Sequence, residues 1–138
     1  MDDKLTVVVV DDSATARAQF TELASQCQGV EIVGTASDGA EAVLVVAKAK
    51  PDLVVMDVVM PNLDGLAALR ILRTRVPSSR IAMASSLGGS PGRAEEAFRL
   101  GAVQVISKPF DMSQLDTLFA NEREAKAQRL AAQGGGRS

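Results

Sequence analysis

Leu5-Thr6-Val7-Val8-Val9-Val10-Asp11-Asp12-Ser13 is the stretch on which the fold turns. A continuous run of β-branched residues marks a strand buried on both faces, as in parallel sheets. Two acids follow it at once, where such a strand runs out. Beyond them Ala16, Phe20, Leu23 and Cys27 recur at helical spacing until Gly29 stops the pattern.

The same alternation repeats along the chain. Val30–Ala36 reads as a second strand, and Asp38-Gly39 opens a helix through about Lys50, ended by Pro51. Asp52–Asp57 is a third buried strand. After the Pro61–Gly65 turn, Leu66, Leu69, Ile71 and Leu72 mark a helix closed by Pro77. Ile81–Ala84 is a fourth strand, followed by the Gly88–Gly92 loop and a short helix around Ala94, Ala97, Phe98 and Leu100. Val103–Ile106 is the fifth strand. Ser113-Gln114-Leu115-Asp116 reads as a capping box for a last helix with Leu115, Leu118 and Phe119 inside. Five strands alternating with five helices imply an α/β domain, a doubly wound parallel sheet joined by right-handed crossovers.

The 138 residues fit one domain. Residues 1–121 are expected to form it, with 122–138 a polar extension of the last helix and a disordered Gly-rich tail. The run Glu122–Arg129 reads as a solvated helix face. A net charge of −2 with scattered cations gives no basis for nucleic-acid binding. The chain has no His, which excludes His-based metal sites and bases, and no Trp or Tyr to stack on bases or flavins. Cys27, the only cysteine, cannot form an internal disulfide and reads as a core thiol. The N-terminus lacks a signal-peptide pattern, and no apolar run spans a bilayer, so no membrane association and a cytoplasmic location are expected.

Parallel sheets gather their functional groups at the carboxyl ends of the strands. There the first strand ends in Asp11-Asp12, the third in Asp57, the fourth in Ser85-Ser86, and Lys108-Pro109 follows the fifth. Three neighbouring carboxylates repel, so without a cation at least one pKa should rise. Mg²⁺, which takes oxygen ligands and keeps waters, removes the conflict. A carboxylate between a metal and a lysine is a sensible acceptor of a phosphoryl group. Alone, Asp-Asp could be a turn or helix cap, and Lys108 a solvated lysine. Asp64-Gly65 reads as structural, a turn opening the third helix.

Val7–Ser13, Asp57–Gly65, Ala84-Ser85-Ser86 and Lys108-Pro109 together resemble response-regulator receiver domains, CheY-like, in order and spacing over roughly residues 5–120. The resemblance implies the flavodoxin-like (βα)5 sheet order 2-1-3-4-5. It implies that Asp57 accepts phosphate from a histidine kinase. Asp12, Asp57 and the Val59 backbone carbonyl would hold Mg²⁺, with Asp11 helping through water. Ser85 and Lys108 would contact the phosphoryl oxygens, and the Lys108–Pro109 bond would be cis. The family's partner surface is the fourth helix, fifth strand and fifth helix, here with Arg93, Arg99 and the exposed side of Met112–Arg123.

Three features qualify the resemblance. Val105 stands where the family commonly has Tyr or Phe, so a rotating ring cannot report phosphorylation and the Gly88–Gly92 loop is expected to carry the signal. Val59 and Leu87 are apolar and cannot orient an attacking water, so slow loss of phosphate is expected. The Ser85-Ser86-Leu87 and Asp11-Asp12-Ser13 segments look most like the receiver of a chemotaxis methylesterase. A free-standing chemotaxis-type regulator is preferred to a receiver detached from its output. A phosphate-independent pseudo-receiver is the alternative. An aspartyl-phosphate phosphatase would want an acid where Val59 stands, and a flavodoxin would want rings and a hydroxyl-rich loop.

Overall fold

A computed structural model describes residues 4–86 and 91–135. In chain order the elements are β1 (Leu5–Val10), α1 (Ala14–Ser25), β2 (Val30–Ala36), α2 (Gly39–Ala49), β3 (Leu53–Asp57), α3 (Gly65–Arg75), β4 (Arg80–Ser86), α4 (Pro91–Arg99), β5 (Gln104–Lys108) and α5 (Met112–Gly135). All strand pairings are parallel, in the order β2-β1-β3-β4-β5. Leu87 and most of the Gly88–Gly92 loop fall outside the described residues, as do residues 136–138 of the expected tail.

The two-residue period of a strand divides the core into two layers. Val8 and Val10 of β1 and Val54 and Met56 of β3 pack with Ala42, Val46, Leu69, Leu72 and Ala97 from α2, α3 and α4. Their alternates, Val7, Val9, Leu53 and Val55, pack with Phe20, Leu115, Leu118 and Phe119 from α1 and α5. Phe20 is fully buried, its ring edge-on to Phe110 at 5.3 Å and to Phe119 at 6.1 Å. Burying a side chain of that kind stabilises by about 1.5–3 kcal/mol. A bulge interrupts the β1–β2 register between Val7 and Val8, which pair with Ile32 and Gly34 and leave Val33 over. Residues on either side of it therefore face different layers.

Three sequence expectations need correction. The cap of α5 is not Ser113 with Asp116. Asp111 accepts from the Gln114 N–H at 2.8 Å, and the Gln114 side chain accepts from the Asp111 N–H at 3.3 Å. The reciprocal pattern is that of a capping box, shifted by two residues because Pro109 and Phe110 carry the chain out of β5 first. Cys27 is only half-buried, packed against the edge of the α1–α5 core layer. Its Sγ donates to the Leu23 carbonyl at 3.6 Å and to Asp116 at 3.4 Å. Burial first, and the Asp116 carboxylate second, push that thiol up, away from the reactive thiolate.

Residues 122–129 are solvated on one side only, where Arg123, Glu124, Ala127 and Gln128 are exposed. Helix α5 continues unbroken, and Glu122 is 4% exposed and paired with Arg80 at 2.6 Å. Lys126 donates to the Lys4 carbonyl at 2.8 Å and to Asp52 at 2.9 Å, and Arg129 reaches Asp52 at 3.4 Å. The alternating charges are legible in sequence. That their partners wait at the amino ends of β3 and β4 follows only from the direction in which α5 crosses the sheet.

Candidate functional site

The carboxyl ends of the strands bring Asp11, Asp12 and Asp57 together, with one carboxylate oxygen from each within 4.8 Å of the others. Asp11 and Asp57 are buried, at 2% and 6% exposure, while Asp12 is exposed. Lys108, at the end of β5, places its ammonium 2.5 Å from Asp11 Oδ2 and 3.0 Å from Asp57 Oδ2. The Lys108–Pro109 peptide is cis.

Local sequence explains each placement. Ser13 caps α1 by accepting from the Ala16 N–H, which ends the strand-to-helix turn just after Asp12. Asp57 is the last residue of a strand whose five residues are all buried. The following loop folds back tightly. A Cβ on Gly65 would strike the Asp57 carbonyl and come within 2.8 Å of the Val58 Cα, so only glycine lets α3 start there. Asp64 caps α3 through the Ala67 N–H at 2.9 Å, which agrees with the structural reading of Asp64-Gly65. Asn62, in left-handed backbone at φ 68°, donates to Asp38 at 3.0 Å and ties this loop to the start of α2.

Electrostatics set the poise of Asp57. Burial pushes its carboxyl above the ordinary value, and repulsion from Asp11 adds to that. Hydrogen bonds from Lys108 and from the Val59 N–H, at 3.1 Å, offset only part of it. One raised carboxylate is what the sequence leads one to expect, but loss of water outweighs mutual repulsion as the cause. Burial alone would lower the Lys108 ammonium, yet its bonds to Asp11 and Asp57 outweigh this and raise it. Lys108 is therefore a fixed positive charge.

Not every sequence candidate joins the cluster. Ser85 lies one residue beyond Ala84, the register partner of Asp57, and its hydroxyl donates to the Ser86 carbonyl at 3.4 Å rather than to Asp57. Val59 meets Asp57 through its backbone N–H, and the residue is 63% exposed. Val105 is partly buried against the α2–α4 layer. One residue escaped sequence reasoning: Arg17, whose Nη1 donates to the Asp11 carbonyl at 2.6 Å. Its only sequence signal is a lone cation on the first turn of a helix beginning beside two acids.

The donors suit a hard divalent cation. They are carboxylate oxygens without His or Cys, and Asp12 is open to solvent, leaving room for the waters that Mg²⁺ keeps. Lys108 cannot supply the second charge that three carboxylates ask for.

Residues 7–120 match the response regulator receiver domain family. The chain belongs to that family. It is 42% identical over 117 residues to a protein-glutamate methylesterase/protein-glutamine glutaminase of Myxococcus xanthus, covering 85% of this chain and 32% of that protein. The response regulator domain of Thermotoga maritima CheB superposes with a TM-score of 0.76 at 34% identity, covering 88% of this chain and 95% of that one. The receiver domain of AraT from Geobacillus stearothermophilus gives a TM-score of 0.83 at 26% identity, covering 91% and 98%. The chain thus spans about a third of the length of the curated relatives it matches. No helix among the described residues is long and apolar enough to cross a membrane.

Proposed function

We propose that this receiver is a phosphorylation switch, with Asp57 the acceptor of a phosphoryl group from a histidine kinase. The observation that carries the reading is the pairing of a buried, proton-favouring carboxylate with a fixed ammonium 3.0 Å away, beside two further acids. Asp12, Asp57 and the Val59 carbonyl would hold Mg²⁺, with Asp11 acting through water. Bound there, the ion supplies positive charge to the phosphoryl oxygens and suppresses protonation of Asp57.

The chain's own groups do the rest. An Asp57 oxygen attacks phosphorus as the phosphorus–nitrogen bond to the kinase histidine breaks, and the imidazole leaves with the bonding electrons. Lys108 neutralises charge on the transferred group, and Ser85, freed from the Ser86 carbonyl, would donate to it. A hollow of about 480 Å³ bounded by Ser13, Ala16, Gln19, Ser86, Lys108 and Pro109 offers the donor an approach. Phosphate adds charge at the rim and shifts the balance between two conformations.

The downstream target would meet the face of α4, β5 and α5. Phe98 is half-exposed there, and a groove of about 390 Å³ runs between Val105 and Ile106 on one side and Gln114 and Thr117 on the other. The likeness to methylesterases supports a cytoplasmic chemotaxis setting, and favours the receiver of a methylesterase-type regulator over a free-standing one.

Calorimetry with Mg²⁺ and beryllofluoride tests the switch. The wild-type chain should bind both together, and Asp57→Ala should abolish beryllofluoride uptake. A wild-type chain that takes up neither is a phosphate-independent pseudo-receiver.

A further inference from the structure

Asp11 and Asp12 are adjacent in sequence and opposite in circumstance. Every polar atom of Asp11 is engaged. Its N–H donates to the Ala36 carbonyl at 3.1 Å, and its carbonyl accepts from Arg17 at 2.6 Å. Its Oδ1 accepts from the Ser13 N–H at 2.9 Å, and its Oδ2 meets Lys108. Asp12, by contrast, has no hydrogen-bond or ion-pair partner among the described residues and stands exposed. One aspartate is scaffold and the other is free to bind.

The peptide joining them is where Arg17 acts. The Asp11 carbonyl belongs to the peptide plane that carries the Asp12 N–H, so a donor on that oxygen fixes the direction in which Asp12 leaves β1. The main chain of Arg17 is itself held. The Arg17 N–H donates to the Ser13 carbonyl at 3.0 Å, and its own carbonyl accepts from Thr21 Oγ1 at 2.8 Å, so the residue sits firmly in the first turns of α1. From there the partly buried side chain reaches back to the strand end.

A strand-end carbonyl needs some donor, and at a partly open rim water would serve. A cation is the least suitable donor on charge grounds, because it repels the divalent ion the acids attract. What an arginine at this point can contribute to the site is therefore geometry, not charge. We infer that Arg17 is a positioning residue for the metal site, orienting Asp12 by pinning the Asp11–Asp12 peptide. The inference rests on the reading of the acidic cluster as a Mg²⁺ site. Geometry and charge make opposite predictions for its removal, and that makes the assignment testable.

Mg²⁺ affinity is measured by calorimetry at constant ionic strength on wild type, Arg17→Met and Arg17→Lys, with thermal melts in chelator to establish that each is folded. Loss of a group that orients a ligand weakens metal binding by about 10-fold or more. Arg17→Met is expected to show that loss although a repelling charge has gone. Arg17→Lys keeps a cationic donor on a shorter stem and is expected between the two. Unchanged or tighter binding by Arg17→Met overturns the inference, as does an Arg17→Lys protein that binds no better than Arg17→Met. Should Arg17→Met not fold, a wild-type affinity in Arg17→Lys with its melt unchanged overturns it equally. Absence of Mg²⁺ uptake by the wild type overturns the functional reading itself, a separate outcome.

Discussion

Two aspartates flank the same five-residue strand: Asp52 immediately before β3 and Asp57 at its end. Each faces an ammonium at about the same distance, Lys126 at 2.9 Å and Lys108 at 3.0 Å. Their acidities nevertheless move in opposite directions. Burial pushes Asp52 up, but the Thr6 N–H and hydroxyl, at 2.9 and 3.0 Å, and Lys126 outweigh it, so its pKa is lowered. Asp57 is more deeply buried, faces Asp11 as a like charge and has fewer donors, so its pKa is raised. A salt bridge by itself decides neither case. The count of donors against the loss of water does.

The difference separates stability from poise. At the amino end of β3 the carboxylate is satisfied, joining β1, β3 and α5 through Thr6, Lys126 and Arg129. At the carboxyl end it is left short of positive charge, which suits the cation and phosphoryl group proposed for it.

Breaking the satisfied end should have the largest effect. Asp52→Ala leaves the Thr6 N–H without its acceptor and removes the carboxylate that Lys126 and Arg129 face, and is expected to lower stability by about 2–3 kcal/mol in urea unfolding. The sign of its pH dependence sharpens the comparison. With a lowered folded pKa, Asp52 stays ionised in the native state where the unfolded chain takes up a proton. Its contribution is complete above about pH 4 and fades as pH falls through the lowered folded value. Asp52→Asn should flatten this part of the acid limb, and an unaltered limb would place the effect elsewhere.

Asp57→Asn should act in the opposite sense. It keeps the shape and removes a charge that burial and Asp11 both disfavour, so in chelator the melting temperature should rise by about 2–4 °C, corresponding to about 1 kcal/mol. A fall would show that the Lys108 bond dominates after all. The smallest effect is expected at Arg129, whose contact with Asp52 is long and partly exposed. Arg129→Gln should cost about 0.5 kcal/mol or less, and less still in high salt.

Asp57 and Lys108 were legible as a pair of candidates because each follows an apolar strand, where a parallel sheet puts its chemistry. Asp52 was legible only as the first residue of a strand. Arg17 and Glu122 read as ordinary helix charges, since periodicity reports which face a residue occupies and not what lies across from it. The α5 cap was missed by two residues for a related reason. Both Ser113–Asp116 and Asp111–Gln114 have capping spacing, and the path of the chain out of β5 chose between them.

The chain's own pattern determined five strands, of which β1, β3 and β4 are buried, five helices and the residues at the strand ends, because burial on two faces demands continuous apolar runs and parallel crossovers demand helices between them. Tertiary structure decided the rest. It made Asp11 a scaffold and left Asp12 open. It turned Ser85 toward Ser86, and it bound the far end of α5 to the amino ends of β3 and β4. The physical reason is range: hydrophobic periodicity is set by near neighbours in sequence, whereas hydration and charge depend on groups the fold brings from far along the chain.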